Sequence, residues 1–330
     1  MPVRASTGET LEPMGTVLVT GGAGFIGSHL CDALLAGGYA VVAADDLSLG
    51  SLDNIRHLDN EPRFRLEEMD IVNYSRFAAL VGETRPETVF HLAANSDIAG
   101  SHADPGVDLA RTFQTTFNTL SAMREAGCRN IVFASTSAVY GEAQGAIDEN
   151  YAPLFPVSHY GAAKLASEAF IASFAANYGF RAWIIRFPNV VGERATHGVI
   201  FDFIRRLRDN PDELRVLGNG RQNKPYLYVE DLVGALLFIR RKTGDRLNCF
   251  NVGVESRTRV SEIASMVARE MGLEGRARIS FGEGERGWVG DVPEFGYRLD
   301  KIHQLGWKAE RTSNEAVRLA IRRILGKEPA

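Results

Sequence analysis

The sequence predicts an α/β fold of the doubly wound type, in which helices cover both faces of a parallel sheet and a smaller α/β lobe follows. Short apolar runs typical of buried strands alternate with helical patterns from Thr16 to about Phe187. A glycine-rich turn joins the first strand to the first helix. After Pro188 the alternation weakens and turns containing Pro or Gly become frequent, so we expect a separate lobe there.

The first unit contains every part of a strand–turn–helix–strand arrangement in order. Val17–Thr20 reads as a short buried strand, and the turn Gly21–Gly27 follows it. The helix after the turn carries apolar residues on one stripe and ends at Gly37–Gly38, as a helix C-terminus often does. A second strand, Ala40–Ala44, leads to the acidic pair Asp45–Asp46.

This unit predicts a Rossmann-type nucleotide site. Gly21, Gly24 and Gly27 allow a tight turn and let backbone N–H groups approach a pyrophosphate at the helix N-terminus. Asp45 stands where a carboxylate accepts both ribose hydroxyls, and it would repel a 2′-phosphate. We therefore expect NAD rather than NADP. The alternative is a glycine-rich turn in some other α/β protein.

Further strands and helices continue the alternation. Strands are predicted at Phe64–Glu67, Thr88–Leu92, Ile131–Thr136 and Arg181–Arg186. Long helices are predicted at Val107–Arg124 and Tyr160–Tyr178. Ligands of such sheets bind beyond the carboxyl ends of the strands, where Ala93, Thr136 and Pro188 fall.

These elements divide the chain into three predicted parts. Residues 1–15 are polar and read as a mobile tail, and residues 16–188 form the NAD-binding domain. Residues 189–330 form mainly the substrate-binding lobe, with some segments returning to the sheet.

Tyr160 and Lys164 are the strongest candidates for chemistry. They are four residues apart at the start of a predicted helix, so the phenol and the ammonium share one face. A neighbouring ammonium stabilises phenolate and lowers the pKa of a tyrosine, which makes the tyrosine a usable base. The alternative is a surface tyrosine beside a solvated lysine.

Composition excludes several other classes of protein. The 330 residues carry a net charge of −4, which gives no electrostatic case for nucleic acid, and Arg205–Arg208 reads as the solvated face of a helix. The three cysteines form no CxxC pair, and the seven histidines show no spacing typical of metal ligands. From that spacing we expect no bound metal. No signal peptide and no membrane-spanning run is evident, so we expect a cytoplasmic protein.

Several motifs together resemble those of the extended short-chain dehydrogenase/reductases, in the group of NAD-dependent nucleotide-sugar epimerases and dehydratases. The resemblance runs from about Val17 to Lys308. It rests on Thr20–Gly27, Asp45–Ser48, Asp70–Ile71, His91–Ala94, Ser135–Gly141, the Tyr160/Lys164 pair, Arg186–Gly192 and Tyr228–Asp231.

The resemblance implies roles for individual residues. An NAD site would comprise Gly21, Gly24, Phe25, Ile26, Gly27, Asp45, Asp46, Asp70, Ile71, Leu92, Ala93, Ala94, Tyr160, Lys164 and Pro188. A nucleotide-sugar site, UDP-linked by analogy, would comprise Thr136, Asn189, Lys224, Tyr226 and Arg286. In such a site Asn189 would hold the diphosphate, and Arg286 would clamp the phosphates. Lys224 stands where the family usually has an arginine. The compact ammonium of a lysine therefore replaces a planar guanidinium, whose N–H donors can bind a phosphate in pairs.

The implied catalytic residues are Thr136, Tyr160 and Lys164. Thr136 would hydrogen-bond the reacting sugar hydroxyl and the Tyr160 oxygen, whereas strand alternation points Ser135 and Ser137 away. Related 4,6-dehydratases carry Asp-Glu directly after this threonine, but Ser137–Ala138 stands here. Without that acid, dehydration is disfavoured, and C4 epimerisation of a UDP-hexose or UDP-hexuronate through a transient 4-keto sugar is favoured.

Three alternatives stay open. The protein is a keto-sugar reductase, or a C2 epimerase or dehydratase of the same family, or a non-catalytic NAD-binding sensor or scaffold. By analogy with related enzymes, the helices Val107–Arg124 and Tyr160–Tyr178 would pair across a two-fold axis in a homodimer.

Overall fold

A computed structural model of the protein describes residues 14–328, with the exception of 98–99, 144, 286, 288–291 and 293. Most of the predicted tail at residues 1–15, and the predicted phosphate-clamping Arg286, therefore lie outside the described residues.

The strands agree closely with those predicted for the first half of the chain. In chain order they are β1 (Thr16–Thr20), β2 (Ala40–Asp45), β3 (Phe64–Glu68), β4 (Thr88–His91), β5 (Asn130–Thr136), β6 (Ala146–Ile147), β7 (Arg181–Phe187), β8 (Asn189–Val191), β9 (Glu213–Val216), β10 (Asn223–Lys224), β11 (Tyr226–Tyr228), β12 (Leu247–Asn251), β13 (Thr258–Arg259), β14 (Arg278–Phe281) and β15 (Gly296–Tyr297). Each predicted strand lies within one or two residues of its observed bounds.

One parallel sheet carries the fold, with the strand order β12-β7-β5-β4-β1-β2-β3. The chain leaves β1 for β2 on one side and later returns to β4 on the other side, so the strand order reverses between β1 and β4. Such a reversal opens a crevice at the carboxyl edge of the sheet. The predicted Rossmann-type doubly wound fold is therefore confirmed.

Helices cover both faces of this sheet. In chain order they are α1 (Phe25–Ala36), α2 (Tyr74–Thr84), α3 (Pro105–Asp108), α4 (Thr115–Ala126), α5 (His159–Tyr178), α6 (Val199–Asp209), α7 (Val229–Lys242), α8 (Val260–Glu270), α9 (Asp300–Leu305) and α10 (Ser313–Ile324). Single 3-10 turns lie at Leu52–Asn54, Arg56–Leu58, Gly100–Ala103 and Ser137–Tyr140. No helix within the described ranges has both the length and the apolarity needed to cross a membrane.

The helix predicted at Val107–Arg124 differs from the expectation. A π-helical segment, Leu109–Gln114, separates α3 from α4. The hydroxyls of Thr115 and Thr116 each donate to the carbonyl of Thr112, at 3.1 and 2.8 Å. Hydroxyls that bond back to helix carbonyls can compete with the regular backbone hydrogen bonds, and here they accompany the wider turn.

Two buried apolar layers hold the helices on the sheet. On one face Leu30 of α1 and Leu236 of α7 pack in the first layer. On the other face Phe77, Leu120 and Ile171, from α2, α4 and α5, pack in the second. These side chains are almost fully removed from water, which is the main stabilising contribution to the fold.

The chain beyond residue 188 forms a smaller lobe and also returns to the sheet. Phe203 of α6, Val267 of α8 and Val317 of α10 belong to a third apolar core, which lies in this lobe. Strand β8 pairs in parallel with β11, which places Asn189 beside Tyr226. Strand β12 extends the main sheet beside β7. The boundary at residue 188 stays a prediction.

Candidate active site

A large cavity of about 720 Å³ lies at the carboxyl edge of the sheet and continues between the sheet and the lobe. Except for Arg286, which lies outside the described residues, the predicted site residues all line it: Gly21, Gly24, Phe25, Ile26, Gly27, Asp45, Asp46, Asp70, Ile71, Leu92, Ala93, Ala94, Thr136, Tyr160, Lys164, Pro188, Asn189, Lys224 and Tyr226. Its volume lies within the range of sites for cofactor-sized ligands.

Backbone atoms of the glycine turn line one side of this cavity. Gly21 has φ +74°, and a Cβ there would lie 2.9 Å from the backbone nitrogen of Ala93. A Cβ on Gly27 would collide with the carbonyl oxygen of Gly21. In the described structure the first turn of α1 has neither a side-chain cap nor an acidic residue. Its N–H groups are therefore suited to bind a pyrophosphate, which is the fit that NAD requires.

Asp45 lies at the end of β2, and two backbone groups hold it. Its carboxylate accepts hydrogen bonds from the amides of Ala23 and Leu47, both at 2.9 Å. Burial raises the pKa of this carboxyl, although those amide hydrogen bonds counteract the rise. A carboxylate has about four acceptor positions, so acceptor capacity remains for the hydroxyls of a ribose.

Asp46 pairs with Arg111, a residue that the sequence analysis did not include. Arg111 lies in the π-helical segment and donates to the Asp46 carboxylate at 2.6 Å, and both residues line the cavity. Burial favours a higher pKa for Asp46, but hydrogen bonds from Ser48 and Arg111 lower it overall. Arg111 is 65 residues away in sequence, so local spacing gives no signal for this pair.

Three predicted residues form the walls beside the glycine turn, and a buried histidine lies behind them. Asp70 accepts from the Val72 amide at 2.8 Å, Ile71 is buried, and the Ala93 amide donates to Thr20 at 3.3 Å. His91 is fully buried among threonine hydroxyls, and burial lowers its pKa to about 3. His91 is therefore a neutral structural residue, not a catalytic base.

Thr136 and Tyr160 meet above the carboxyl end of β5. Both side chains line the cavity, the Thr136 hydroxyl lowers the pKa of the Tyr160 phenol, and Thr136 Oγ1 accepts from the Ala138 amide at 3.1 Å. Gly161 permits this approach, because a Cβ there would lie 2.6 Å from the carbonyl oxygen of Ala138. Ser158 accepts from the Gly161 amide at 3.1 Å and caps α5 at its start.

Lys164 lies one turn further along α5 and is 2% exposed. Its Nζ donates to the carbonyl of Ala134 at 2.7 Å and lies 5.8 Å from the centroid of the Tyr160 ring. Burial lowers the pKa of Lys164 to about 7, although Glu168 and Asp108 act in the opposite direction.

The expected effect of Lys164 on Tyr160 does not dominate. Tyr160 is only partly buried as a residue, but protein atoms surround its hydroxyl. This burial raises its pKa far above the ordinary value, while the hydrogen bond from Thr136 lowers it and the charge of Asp108 raises it. Desolvation of the phenolate is therefore the largest effect on this tyrosine, and a positive charge beside it would favour its ionised form.

A buried network lies behind this pair. Ser135 points away from the cavity, as predicted, and donates to Glu168 at 2.5 Å. Arg186 donates to both oxygens of Glu168, at 3.0 and 2.6 Å. Asp108 lies in another buried cluster, where it accepts from Asn95 at 3.1 Å. The sequence analysis missed Asp108 and Glu168, and the helical spacing of Lys164 and Glu168 was the one available signal.

The lobe end of the cavity is more apolar. Asn189 is exposed there, whereas Tyr226 is buried and its amide donates to Ser313 at 3.1 Å. Arg206 also lines the cavity, with Nη1 donating to the carbonyl of Arg215 at 2.8 Å. Part of the basic cluster that we predicted as a solvated helix face thus faces the site instead. The described residues include no group of three or more His, Cys, Asp or Glu that could hold a metal ion.

Comparisons with known proteins agree with this geometry. The model of the NAD dependent epimerase/dehydratase family matches residues 17–253. A UDP-glucose 4-epimerase of Mycolicibacterium smegmatis is 34% identical over 260 residues, which are 77% of this chain and 82% of the relative. The human dTDP-D-glucose 4,6-dehydratase is 30% identical over 92% of this chain and 88% of its own.

Solved structures match along almost the whole chain. A crystal structure of a UDP-galactose 4-epimerase has a TM-score of 0.83 at 39% identity, with 94% of this chain and 99% of that chain covered. The Thermus thermophilus UDP-glucose 4-epimerase in complex with NAD also has a TM-score of 0.83, at 29% identity and the same coverage.

Proposed function

The chain belongs to the NAD-dependent epimerase/dehydratase family of extended short-chain dehydrogenase/reductases, and we propose that it interconverts the C4 epimers of a UDP-hexose or UDP-hexuronate. One observation carries the proposal. Tyr160 and Thr136 lie together at the wall of the cavity that the glycine turn also lines, and Ser137–Ala138 follows Thr136.

In the proposed reaction, Tyr160 removes the proton of the sugar 4-hydroxyl and later returns it. Thr136 hydrogen-bonds the same hydroxyl and orients it towards the phenol oxygen. NAD, when bound, supplies the acceptor and donor of the C4 hydride. Lys164 and the positive charge of the oxidised cofactor together favour the phenolate that burial alone disfavours. A ketone at C4 that is reduced on its other face yields the epimer without net oxidation.

The proposed cofactor residues follow from the same geometry. The glycine turn and the N-terminus of α1 would hold the pyrophosphate, and Asp45 would accept from the adenosine ribose. Lys164 would bind the nicotinamide ribose. A 2′-phosphate beside the carboxylates of Asp45 and Asp46 would be repelled, which argues against an NADPH-dependent reductase.

Dehydration lacks a general acid at the expected place. Elimination of water from a 4-keto sugar requires a proton donor to the leaving hydroxyl. The two residues after Thr136 are a serine and an alanine, neither of which is a carboxylic acid. We therefore propose epimerisation rather than the dehydratase reaction of other family members.

For the substrate, we propose that the diphosphate lies at the lobe end of the cavity near Asn189 and Lys224. Arg206 lines the same region and is a further cation for the phosphates. Arg286 keeps its proposed phosphate-clamping role on the basis of sequence alone.

We further propose that the protein is a homodimer. Aromatic side chains of the π-helical segment, α4 and α5 form a continuous surface cluster, in which Phe170 contacts Phe113 and Phe117, and Phe174 contacts Tyr178. Phe117 and Phe170 are 37% and 39% exposed. Exposed clusters of this kind commonly mark protein–protein interfaces.

Cys31, Cys128 and Cys249 are free thiols, which supports the proposed cytoplasmic location.

The test is turnover of a defined panel by the full chain. UDP-glucose, UDP-galactose, UDP-glucuronate and UDP-galacturonate would be incubated with the enzyme, and NMR would detect new C4 epimers. We expect one of these pairs to interconvert, with NAD released when the protein is denatured. An apo protein that instead reduces a 4-keto sugar with NADPH would contradict the proposal.

A further inference from the structure

Glu168 is the centre of a buried polar network that the proposed mechanism does not use. Its carboxylate accepts from Ser135 at 2.5 Å and from two nitrogens of Arg186, at 3.0 and 2.6 Å. Arg186 also donates to the Tyr140 hydroxyl at 3.0 Å, and that hydroxyl donates to Asn251 at 2.7 Å. The network thus joins α5, β5, β7, the turn after β5, and β12.

Three members of this network directly adjoin residues of the site. Glu168 follows Lys164 by one helical turn, and both side chains are buried. Ser135 lies between Thr136 and Ala134, whose carbonyl accepts from Lys164. Arg186 precedes Pro188 by two residues on β7. A movement of the Glu168 carboxylate would therefore act on α5, which carries Tyr160 and Lys164, and on β5, which carries Thr136.

Packing alone does not explain why a charged pair lies here. The side chains of Arg186 and Glu168 are only 8% and 6% exposed. A buried ion pair gives up much solvation energy, and apolar residues of similar volume often stabilise a fold equally well. A pair of this kind is better explained when one of its charges serves a neighbouring group.

The neighbouring group is the Lys164 ammonium. From α5 it faces Glu168 and Tyr160, and from β5 it faces the Ala134 carbonyl and the Phe133 ring, whose centroid is 4.7 Å from Nζ. Asp108 faces it from α3 and neutral His91 from β4, whereas Arg186 of β7 is bound to Glu168. Burial lowers the pKa of Lys164 to about 7, and Glu168 is the larger of the two opposing causes.

We infer that Glu168 is a positioning residue, which keeps Lys164 in its charged form and docks α5 against β5 and β7 for the proposed epimerisation. The inference rests on the proposed function, because a charged Lys164 matters only if Tyr160 acts as the base. Glu168 itself does not line the cavity.

The direct test follows the titration of Lys164 by NMR. The chain contains six lysines, so 13Cε-lysine labelling gives a simple spectrum, and Lys164→Met identifies the resonance. Full-length Glu168→Gln, Arg186→Met and Ser135→Ala would be compared with the unmodified protein at equal NAD content. We expect the titration midpoint of Lys164 to fall by about one pH unit or more in Glu168→Gln, because the anion is lost.

The two other variants serve as matched controls. Ser135→Ala removes a hydrogen bond but no charge, and Arg186→Met removes the opposite charge of the same pair. Neither is expected to lower the midpoint. If Glu168→Gln does not fold, the double variant with Arg186→Met is compared with Arg186→Met alone, so that only the Glu168 charge differs. A Glu168→Gln midpoint equal to that of the unmodified protein, or an equal fall in Ser135→Ala, would overturn the inference.

Kinetics provide the second readout. In Glu168→Gln we expect the alkaline limb of the kcat–pH profile to move to lower pH by the same amount, and kcat at pH 7 to fall about fivefold or more. A loss of packing alone would reduce kcat without moving the limb. If the unmodified protein epimerises no UDP-sugar, the proposed function fails, whereas the NMR titration still tests the interaction between Glu168 and Lys164.

Discussion

Tyr160 shows how burial and charge compete at a single residue. Its hydroxyl lies among protein atoms, and that burial raises its pKa more than the Thr136 hydroxyl lowers it. Burial therefore favours the neutral phenol, and a further cation beside it would favour the phenolate.

Tyr160→Phe tests the role of the phenol. The ring and its packing remain, so we expect kcat to fall by about 10²–10⁴-fold while KM and the circular dichroism spectrum stay close to those of the unmodified protein. Tyr178→Phe is the matched control, because Tyr178 is exposed at the other end of α5. Equal turnover by the two variants would remove Tyr160 from the mechanism.

Burial of the Lys164 ammonium destabilises the folded protein, so replacing Lys164 should increase the free energy of unfolding. Its pKa is about 7 in the folded protein and 10.5 in the unfolded chain, so between these values the unfolded chain binds more protons. The contribution of Lys164 to folding therefore becomes more favourable as pH rises through that window, and it is least favourable at pH 7 and below.

We expect Lys164→Met to raise the free energy of unfolding at pH 6–7 by about 2–4 kcal/mol, while kcat falls sharply. Urea denaturation at pH 6, 7 and 9 measures this, and the gain should shrink towards pH 9. Lys308→Met, at a site in the last part of the chain away from the cavity, is the control. A loss of stability at pH 6 would contradict the assigned burial cost.

The π-helical segment is a structural feature that the sequence pattern of its helix does not show. Apolar spacing predicts one helix over residues 107–124, and that spacing is present. Hydroxyls of Thr115 and Thr116 bond back to the carbonyl of Thr112 and accompany the wider turn. These bonds depend on rotamers and on tertiary packing, so periodicity could not predict the segment. Because this segment was not predicted, the sequence analysis did not include Arg111, which lies in it, or Asp108, which directly precedes it, among the site residues.

Arg111→Met tests the contribution of this segment to cofactor binding. Arg111 pairs with Asp46 at the cavity, but its side chain is 44% exposed, so the pair is screened by solvent and contributes modestly. We expect the Kd for NAD to rise about threefold to fivefold, and the difference to shrink at high salt. Arg208→Met, on the exposed face of α6, should leave the Kd unchanged. An unaltered Kd in Arg111→Met would exclude a role for the ion pair.

At the scale of the whole molecule, sequence patterns predicted most of the architecture for clear physical reasons. Strands buried on both faces read as continuous apolar runs, and the glycine turn needs residue types that few other contexts require. Thr136 was correctly separated from Ser135 because side chains alternate along a strand. Contacts distant in sequence, such as Arg186 with Glu168 and Arg111 with Asp46, left no local pattern.

The proposed dimer is a further property of the whole molecule. Phe170→Asp would place a charge within the aromatic cluster of α4 and α5, so we expect a monomer by light scattering after size exclusion. Phe281→Asp, at an exposed phenylalanine of the lobe, is the control and should keep the dimer. A monomeric unmodified protein would contradict this part of the proposal.

The most direct measurement of the central claim uses UDP-glucose that carries deuterium at C4, with UDP-glucuronate labelled in the same way as the second substrate. Reversible oxidation at C4 within a closed site predicts that the C4 epimer forms and retains its deuterium at C4, with none lost to water. Loss of that deuterium to solvent, or no epimer from either substrate, would contradict the account.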